Sequence, residues 1–214
     1  RVTMQALLDK GLAALEISAR AEQRAQWLAY VQLLAKWNQA YNLTAVREPR
    51  EMVSRHLLDS LAIAKYIHST RLLDVGAGAG IPSIPLAILW PERQLTALDS
   101  NGKKTRFMDQ ARIELGLQNF SVVQSRVEEY QSELPFDGIL SRAYASLADF
   151  VQSSQHLLAA GGCFWAMKAQ LDSSELSALP KPFKVSACLR LQVPNCDAER
   201  HLIRCELSDG IATT

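Results

Sequence analysis

The residues best suited to chemistry in this chain are an aspartate and three glycines that follow a short apolar run. Within LLDVGAGAGIPSIPLA, they form the pattern Asp74-x-Gly76-x-Gly78-x-Gly80. A glycine-rich turn that leads into a helix offers free backbone N–H groups and lets a ligand lie directly against the main chain. The pattern therefore indicates a binding loop, and the question is which ligand it holds.

Two phosphate-binding loops share these glycines but fit the sequence poorly. The dinucleotide fingerprint needs glycines at G-x-G-x-x-G, whereas Ile81 occupies the third position and Gly80 comes one residue early. A P-loop ends in Gly-Lys-Ser/Thr, and no lysine follows these glycines. A tight structural turn, with Asp74 as a helix cap, is the alternative without a ligand.

The pattern resembles the first motif of S-adenosylmethionine-dependent methyltransferases of the Rossmann-like class. That cofactor has an ammonium, a carboxylate, a sulfonium and an adenosine but no phosphate, so the Asp74 carboxylate suits its cationic part. A second acid is expected at the end of the next strand, where it would bind the ribose hydroxyls. Asp99, which ends the strand in QLTALDS, lies about 20 residues after the last glycine and fits this expectation.

The elements that must position these residues change in character along the chain. Residues 3–67 are predicted to be helical, since apolar residues recur at helical spacing from Trp27 to Tyr41 and Pro49 can open a further helix. Beyond Arg71, helices predicted at 80–89, 102–115 and 146–159 alternate with short strands. The strands are predicted at 71–75, 94–99, 119–124, 136–141 and 163–168. Such alternation predicts an α/β fold with a parallel sheet, as in Rossmann-like class I methyltransferases.

The C-terminal region departs from this alternation. FKVSACLRLQV and RHLIRCEL are strand-like runs with no room for a helix between them, so they are predicted to pair as an antiparallel hairpin at a sheet edge. We expect five parallel strands closed by a reversed strand. Residues 1–67 would form a helical extension and residues 68–214 the S-adenosylmethionine-binding core, packed together as one compact unit.

The composition is that of an ordinary globular protein. The chain has 214 residues, 48% of them hydrophobic and 21% charged, with a formal net charge of +1. That balance argues against a generally basic nucleic-acid binder, so any positive charge must be concentrated on one face. The four cysteines form no CxxC pair, and we expect them to be reduced and buried, with no metal site. We expect a cytoplasmic protein, because the sequence shows neither a signal peptide nor a membrane-spanning run. We also expect it to be a monomer.

The end of the fourth strand, LSRAYASL, carries the information about the methyl acceptor. It lacks the Asn-Pro-Pro-Tyr type of motif that is typical of enzymes that methylate exocyclic amino groups of bases. None of the cysteines stands in the context of a nucleophile that attacks a pyrimidine carbon. The sequence therefore indicates neither a site that binds an exocyclic amino group nor a mechanism with a covalent enzyme–base intermediate.

Six stretches together resemble the bacterial family of small-subunit ribosomal RNA methyltransferase G, also called glucose-inhibited division protein B. They occur in family order over nearly the whole chain: AKWNQAYNLTAVREPREMVSRHLLDS, LLDVGAGAGIPSIPLAI, ALDSNGKKTRFM, QSRVEEY, FDGILSRAYASL and LQVPNCDAERHLI. The resemblance implies methylation of the N7 of one guanine in the decoding-region loop of 16S rRNA, as RNA or within the small subunit. Its cofactor contacts fall on Gly76, Ile81, Val127, Glu128 and Arg142, to which we add Asp74, Gly78, Gly80 and Asp99.

Two positions depart from the family pattern. Ser83 stands where a glycine is common, and we expect it to tighten the cofactor loop. Ala169 follows Lys168 where a Lys-Gly pair is common, which weakens the prediction for Lys168.

The chemistry implied by the resemblance needs little from the protein. Guanine N7 carries a free lone pair and no proton near neutral pH, so attack on the sulfonium methyl requires no general base. Catalysis would consist of alignment, with Arg142 steadying the cofactor or binding guanine O6. The sequence indicates no His–carboxylate pair near the strand ends, and His56 is expected to be packed rather than catalytic. Tyr144 would either stack on a flipped guanine or pack beside the strand.

Basic residues near the motifs are candidates for phosphate contacts, although a solvated charged face is the alternative for each of them. The predicted RNA-binding set is Lys103, Lys104, Arg106, Lys168, Arg200 and His201. Two other functions remain open at this level. A small-molecule methyltransferase would need a lid over a deep apolar pocket, and a non-catalytic module would bind the cofactor without transferring its methyl group.

Overall fold

Seven strands form the centre of the fold in a computed structural model that describes residues 2–142, 144 and 146–208. They are β1 (Arg71–Val75), β2 (Gln94–Asp99), β3 (Phe120–Gln124), β4 (Phe136–Ser141), β5 (Leu158–Lys168), β6 (Phe183–Arg190) and β7 (His201–Leu207). They make one sheet in the order β3-β2-β1-β4-β5-β7-β6. The first five strands are parallel, and β7 runs antiparallel to both β5 and β6. The predicted sheet with its C-terminal hairpin is confirmed.

Helices precede the sheet and connect its strands. They are α1 (Met4–Ala14), α2 (Ala21–Tyr41), α3 (Pro49–Met52), a π-helical turn (Val53–Leu58), α4 (Asp59–Leu61), α5 (Ser83–Leu89), α6 (Gly102–Leu115), α7 (Leu147–Ser154) and α8 (Ser173–Ser177). Short 3₁₀ turns occur at Ala64–Tyr66, Val127–Glu129 and Gln155–Leu157. Pro49 occupies the start of α3, where its missing N–H costs nothing. Among the described helices, none is long and apolar enough to span a bilayer.

The bounds of β1, β2 and β4 agree with the prediction, but the region after β4 differs. α7 ends at Ser154 and β5 begins at Leu158, so the end of the predicted helix 146–159 is wrong. Leu158 already pairs with Phe136, and the register shifts before Gly138 pairs with Cys163. Pairing across the sheet therefore overrides the local preference of this alanine-containing stretch.

The N-terminal helices pack onto the glycine loop and the helix that follows it. On α2, the Trp27 indole donates to the Pro85 carbonyl at 3.1 Å, and the Tyr30 hydroxyl donates to the Ala79 carbonyl at 2.8 Å. A single hydrophobic cluster includes residues on both sides of the predicted boundary at 67, from Leu8 to Leu202. The loop is thus supported from outside the sheet, while the proposed division into an extension and a core stays a prediction.

Two expectations about burial are wrong. Tyr41 is 44% exposed, although its spacing placed it on the apolar side of α2. It lies at the last turn of the helix, and its ring packs 5.4 Å from Trp37. Cys188 is also exposed, because β6 is the edge strand and one of its faces is open.

Candidate active site at the carboxyl ends of the strands

Two neighbouring clefts lie where the parallel strands end. The glycine-loop cleft has a volume of about 290 Å³ and is lined by Val75, Gly76, Leu98, Asp99, Ser100, Lys104, Ser125, Arg126, Val127, Glu128 and Tyr144. The arginine cleft has a volume of about 280 Å³ and is lined by Asp59, Arg142, Tyr144, Met167, Lys168, Ala169, Leu191, Arg200 and His201. Tyr144 lines both clefts, so a ligand in one would lie beside a ligand in the other.

The glycine loop turns sharply directly after β1. Gly76, Gly78 and Gly80 have φ values of 69°, 60° and 84°, in the left-handed region that favours glycine. The N–H groups of Gly76 and Ala77 both donate to the Leu98 carbonyl, at 2.8 and 3.0 Å, which fixes the start of the loop to β2. A Cβ on Gly80 would lie 2.3 Å from Ile84, so this position also needs glycine for space.

Asp99 connects this loop to the cleft. Its Oδ2 accepts the N–H of Gly78 and its Oδ1 accepts the N–H of Asn101, each at 2.9 Å. An ionised carboxylate can accept about four hydrogen bonds, so acceptor capacity remains for a ligand. Asp99 is partly exposed in the cleft, as a residue that binds ribose hydroxyls must be. The cleft therefore fits the predicted cofactor, because it combines this carboxylate with uncovered backbone.

Asp74 lies beneath the loop rather than in the cleft. It is 1% exposed, and its Oδ2 accepts the backbone N–H of Ser83 at 3.1 Å. Burial raises the pKa of Asp74 to about 7, against the lowering effect of its hydrogen bonds from Ser83. The bond joins the end of β1 to the start of α5 through the Ser83 backbone N–H, which a glycine would also supply, so the expectation that Ser83 tightens the loop stays untested. A direct contact between Asp74 and the cofactor stays a prediction.

We expect Asp74→Asn to change how stability depends on pH. The pKa of Asp74 is higher in the folded protein than in the unfolded chain, so its protonated form stabilises the fold. This contribution to the unfolding free energy is complete at pH below 3.8 and is lost as pH rises through 7. Between pH 5 and 8, the wild type should lose roughly 2 kcal/mol of unfolding free energy relative to the variant. Urea unfolding of both proteins at the two pH values measures the difference. An unchanged difference would show that Asp74 titrates normally.

Some of the other predicted cofactor residues line a cleft, and the rest hold the glycine loop in shape. Gly76, Val127 and Glu128 line the glycine-loop cleft together with Asp99. Gly78 holds Asp99, whereas Gly80 and Ile81 fold the loop back through bonds from their N–H groups to the Ala77 carbonyl. Arg142 lines the arginine cleft.

Arg142 and Arg200 converge on one buried carboxylate. Arg142 follows β4 and Arg200 precedes β7, and each side chain is 25% exposed. Asp59, which is 1% exposed, lies 3.7 Å from Arg142 Nη2 and 3.2 Å from Arg200 Nε. Sequence reasoning missed Asp59 although it falls in the quoted stretch SRHLLDS, because only the fold brings it next to the two arginines.

A His–carboxylate pair does occur at the strand ends, contrary to the sequence analysis. His201 begins β7 and pairs in register with Lys168, the last residue of β5. Its Nε2 lies 3.7 Å from Glu199, and its Nδ1 is 3.3 Å from the Ala169 carbonyl. His201 reaches this edge because β7 runs antiparallel to β5, which brings the first residue of β7 beside the last residue of β5. Lys168 forms an ion pair with Glu175, which a capping box with Asp172 places at the start of α8.

The remaining predicted residues lie in different surroundings. Lys103 and Arg106 are exposed on α6, but Lys104 is partly buried and lines the glycine-loop cleft. His56 is buried, its Nε2 lies 2.7 Å from Thr44 Oγ1, and burial is the main cause that lowers its pKa to about 4. That position agrees with a packed histidine. Tyr144 stacks on Phe150 at 5.3 Å and accepts a hydrogen bond from Ser153, which leaves at most one ring face for a base.

The sheet order, the glycine loop after β1 and the acid at the end of β2 define a class I methyltransferase fold. The structure is similar to TrmN from Thermus thermophilus, with a TM-score of 0.56 and 20% identity over 70% of this chain and 48% of that one. It is also similar to the glycopeptide N-methyltransferase MtfA complexed with S-adenosyl-L-homocysteine, with a TM-score of 0.59 and 12% identity over 72% of this chain and 87% of that one.

The sequence places the chain within a particular family. The family model described as GidB, rRNA small subunit methyltransferase G, matches residues 23–203, and the chain belongs to this family. Ribosomal RNA small subunit methyltransferase G of Shewanella woodyi is 47% identical over 94% of this chain and 98% of its own. The protein of that name from Pseudomonas aeruginosa PAO1 is 53% identical over 92% of each chain. Family membership supports S-adenosylmethionine as the cofactor, as the glycine loop predicted.

Proposed function

We propose that this chain transfers a methyl group from S-adenosylmethionine to the N7 of a guanine in the decoding-region loop of 16S rRNA. The observation that carries the proposal is the position of Tyr144 between the glycine-loop cleft and the arginine cleft. A base stacked on the open face of Tyr144 would lie beside a cofactor held by Asp99. The names of the 47–53% identical relatives support ribosomal RNA as the substrate. Transfer of tritium from labelled cofactor to naked rRNA and to small subunits, compared with the uncatalysed background, tests the activity.

The residues of the two clefts have separate tasks in this proposal. Asp99 would bind the ribose hydroxyls, and the backbone at Gly76 and Val127 would border the rest of the cofactor. When bound, the cofactor supplies an electrophilic methyl group on its sulfonium. Arg142 would hold the guanine through its O6 and leave N7 open, since a bidentate contact to both atoms would block the reaction. Alignment in a site shielded from water is then the main contribution of the protein.

We propose that no general base takes part, although His201 lies in the arginine cleft. N7 of guanine has no proton to remove, so the single-turnover rate should stay flat across the neutral pH range. His201→Gln should keep this flat profile, and His68→Gln, which changes an exposed histidine outside both clefts, is the matched control. A rise through a histidine-like pKa that His201→Gln abolishes, but His68→Gln does not, would show general-base catalysis worth roughly 10²–10⁴-fold.

We propose that RNA binding relies on a local basic face, since the net charge is only +1. Log K should fall with log salt, with a slope of about −1 for each phosphate contact. Reversing the exposed Lys103 and Arg106 to Glu should flatten that slope by about 2 and leave cofactor affinity unchanged. Lys104 is left intact because it lines the glycine-loop cleft.

Reversal of Lys10 and Lys65, which are exposed and line neither cleft, gives the same change in net charge. Filter binding at several salt concentrations separates the two pairs. If both pairs of reversals flatten the salt slope equally, the effect comes from net charge. If reversal of Lys103 and Arg106 does not flatten the slope, the RNA binds elsewhere.

A further inference from the structure

Asp59 is a buried carboxylate that neither the glycine loop nor the predicted catalytic residues account for. It begins α4, directly after the π-helical turn, in the N-terminal helical part of the chain. The two arginines beside it come from different parts of the chain, one after β4 and one before β7, at the same edge of the sheet. Asp59 therefore joins three segments that are distant in sequence at the wall of the arginine cleft.

Electrostatics make these arginines the main partners of Asp59. A buried carboxylate is costly unless it is paired, and the described residues offer neither of its oxygens a well-aligned hydrogen bond. Burial raises the pKa of Asp59, and the charges of Arg142 and Arg200 act against that rise. The same pairing constrains the two guanidiniums, each three-quarters buried, to the side of the cleft where Asp59 lies.

The segment that carries Asp59 is held firmly by its neighbours. Ser60 Oγ donates to the His56 carbonyl, and the His56 ring contacts Thr44 Oγ1 at 2.7 Å. The Thr44 N–H donates at 2.8 Å to Asn38 Oδ1, and Asn38 is itself buried. Asn38 and Thr44 belong to the stretch WNQAYNLT. The polar residues of that stretch thus fix the turn before Asp59, and with it the backbone from which the carboxylate extends.

We propose that Asp59 is a positioning residue for methyl transfer, whose carboxylate fixes the guanidiniums of Arg142 and Arg200 at the angle needed to align the acceptor base. The inference rests on the proposed function, because it assigns the arginine cleft to the acceptor. Asp59 acts through the arginines and not by contact with the reacting atoms.

Asp59→Asn tests the proposal by removing the charge at nearly constant volume. The single-turnover rate at saturating RNA and cofactor should fall by about a hundredfold, the size expected for a small misplacement of reacting groups. Cofactor affinity should not change, since Asp59 lies outside the glycine-loop cleft. In the double variant with Arg142→Ala, the rate should fall no further than with Arg142→Ala alone. Both changes disrupt the same positioning of the Arg142 guanidinium, so their effects should not multiply.

Asp9→Asn is the matched control. It likewise neutralises a carboxylate of the N-terminal helices, but Asp9 pairs with Arg24 and lines neither cleft, so the rate at saturation should stay unchanged. A wild-type rate for folded Asp59→Asn, or losses that multiply in the double variant, would overturn the proposal.

If Asp59→Asn does not fold, Arg200→Gln breaks the same bridge from the cleft side. Its loss of rate should likewise not multiply with that of Arg142→Ala, and multiplying losses would overturn the proposal. Absence of transfer by the wild type would instead refute the proposed function.

Discussion

Arg142→Ala should lower the single-turnover rate by about a hundredfold at saturating RNA and cofactor, the cost of losing the alignment of the acceptor. The expectation follows from the position of the guanidinium, which is 25% exposed, lines the arginine cleft and is held 3.7 Å from Asp59. Rapid-quench measurement with labelled cofactor gives the rate. Saturation with both substrates ensures that weaker binding does not account for the loss.

Arg112→Ala is a suitable control for Arg142→Ala. Arg112 lies in the last turn of α6, pairs with Asp109 on the protein surface and lines neither cleft. Its loss should leave the rate unchanged. An Arg142→Ala rate within a few-fold of the wild type would contradict the role of Arg142 in alignment. A loss of cofactor affinity as well would support the cofactor contact that the family resemblance implies.

Asp99→Ala should weaken cofactor binding by about a hundredfold. Hydrogen bonds to charged groups contribute roughly 1.5–3 kcal/mol each, and two ribose hydroxyls would lose their acceptor. The glycine loop would also lose the bond that holds the Gly78 N–H at 2.9 Å. Isothermal titration measures the affinity. Asp109→Ala, which removes a surface acid of α6 outside both clefts, is the control and should leave the affinity unchanged. Unchanged affinity in a folded Asp99→Ala variant would remove Asp99 from the site.

The sheet could be predicted because its signals are local. Apolar runs bounded by turn residues gave β1, β2 and β4 their bounds, and the absence of a helix between the last two runs gave the hairpin. α8 was missed, although Asp172 and Glu175 form a capping box that is readable in the sequence. The start of β5 was missed because pairing with β4, rather than local preference, determines it.

The sequence predicted the candidate site only where its residues belong to motifs at a recognisable spacing along the chain. Asp99 follows from its spacing after the glycines, and Gly76, Val127 and Glu128 fall in the same cleft with it. The arginine cleft combines residues from the N-terminal helices, β4, β5 and β7, whose proximity no spacing reveals. Lys104, which the sequence assigned to the RNA-binding set, lines the glycine-loop cleft, and an RNA contact at this residue stays a prediction.

Mapping of the methylated base tests whether this chain methylates the N7 of one guanine in the decoding-region loop. Small subunits that lack the modification are incubated with the protein and S-adenosylmethionine, and the 16S rRNA is reduced and cleaved with aniline, which breaks the chain at 7-methylguanine. We expect one new cleavage, within that loop, and we expect Arg142→Ala almost to abolish it in single-turnover samples. Methyl incorporation without any new cleavage, or cleavage at a guanine elsewhere, would contradict this expectation.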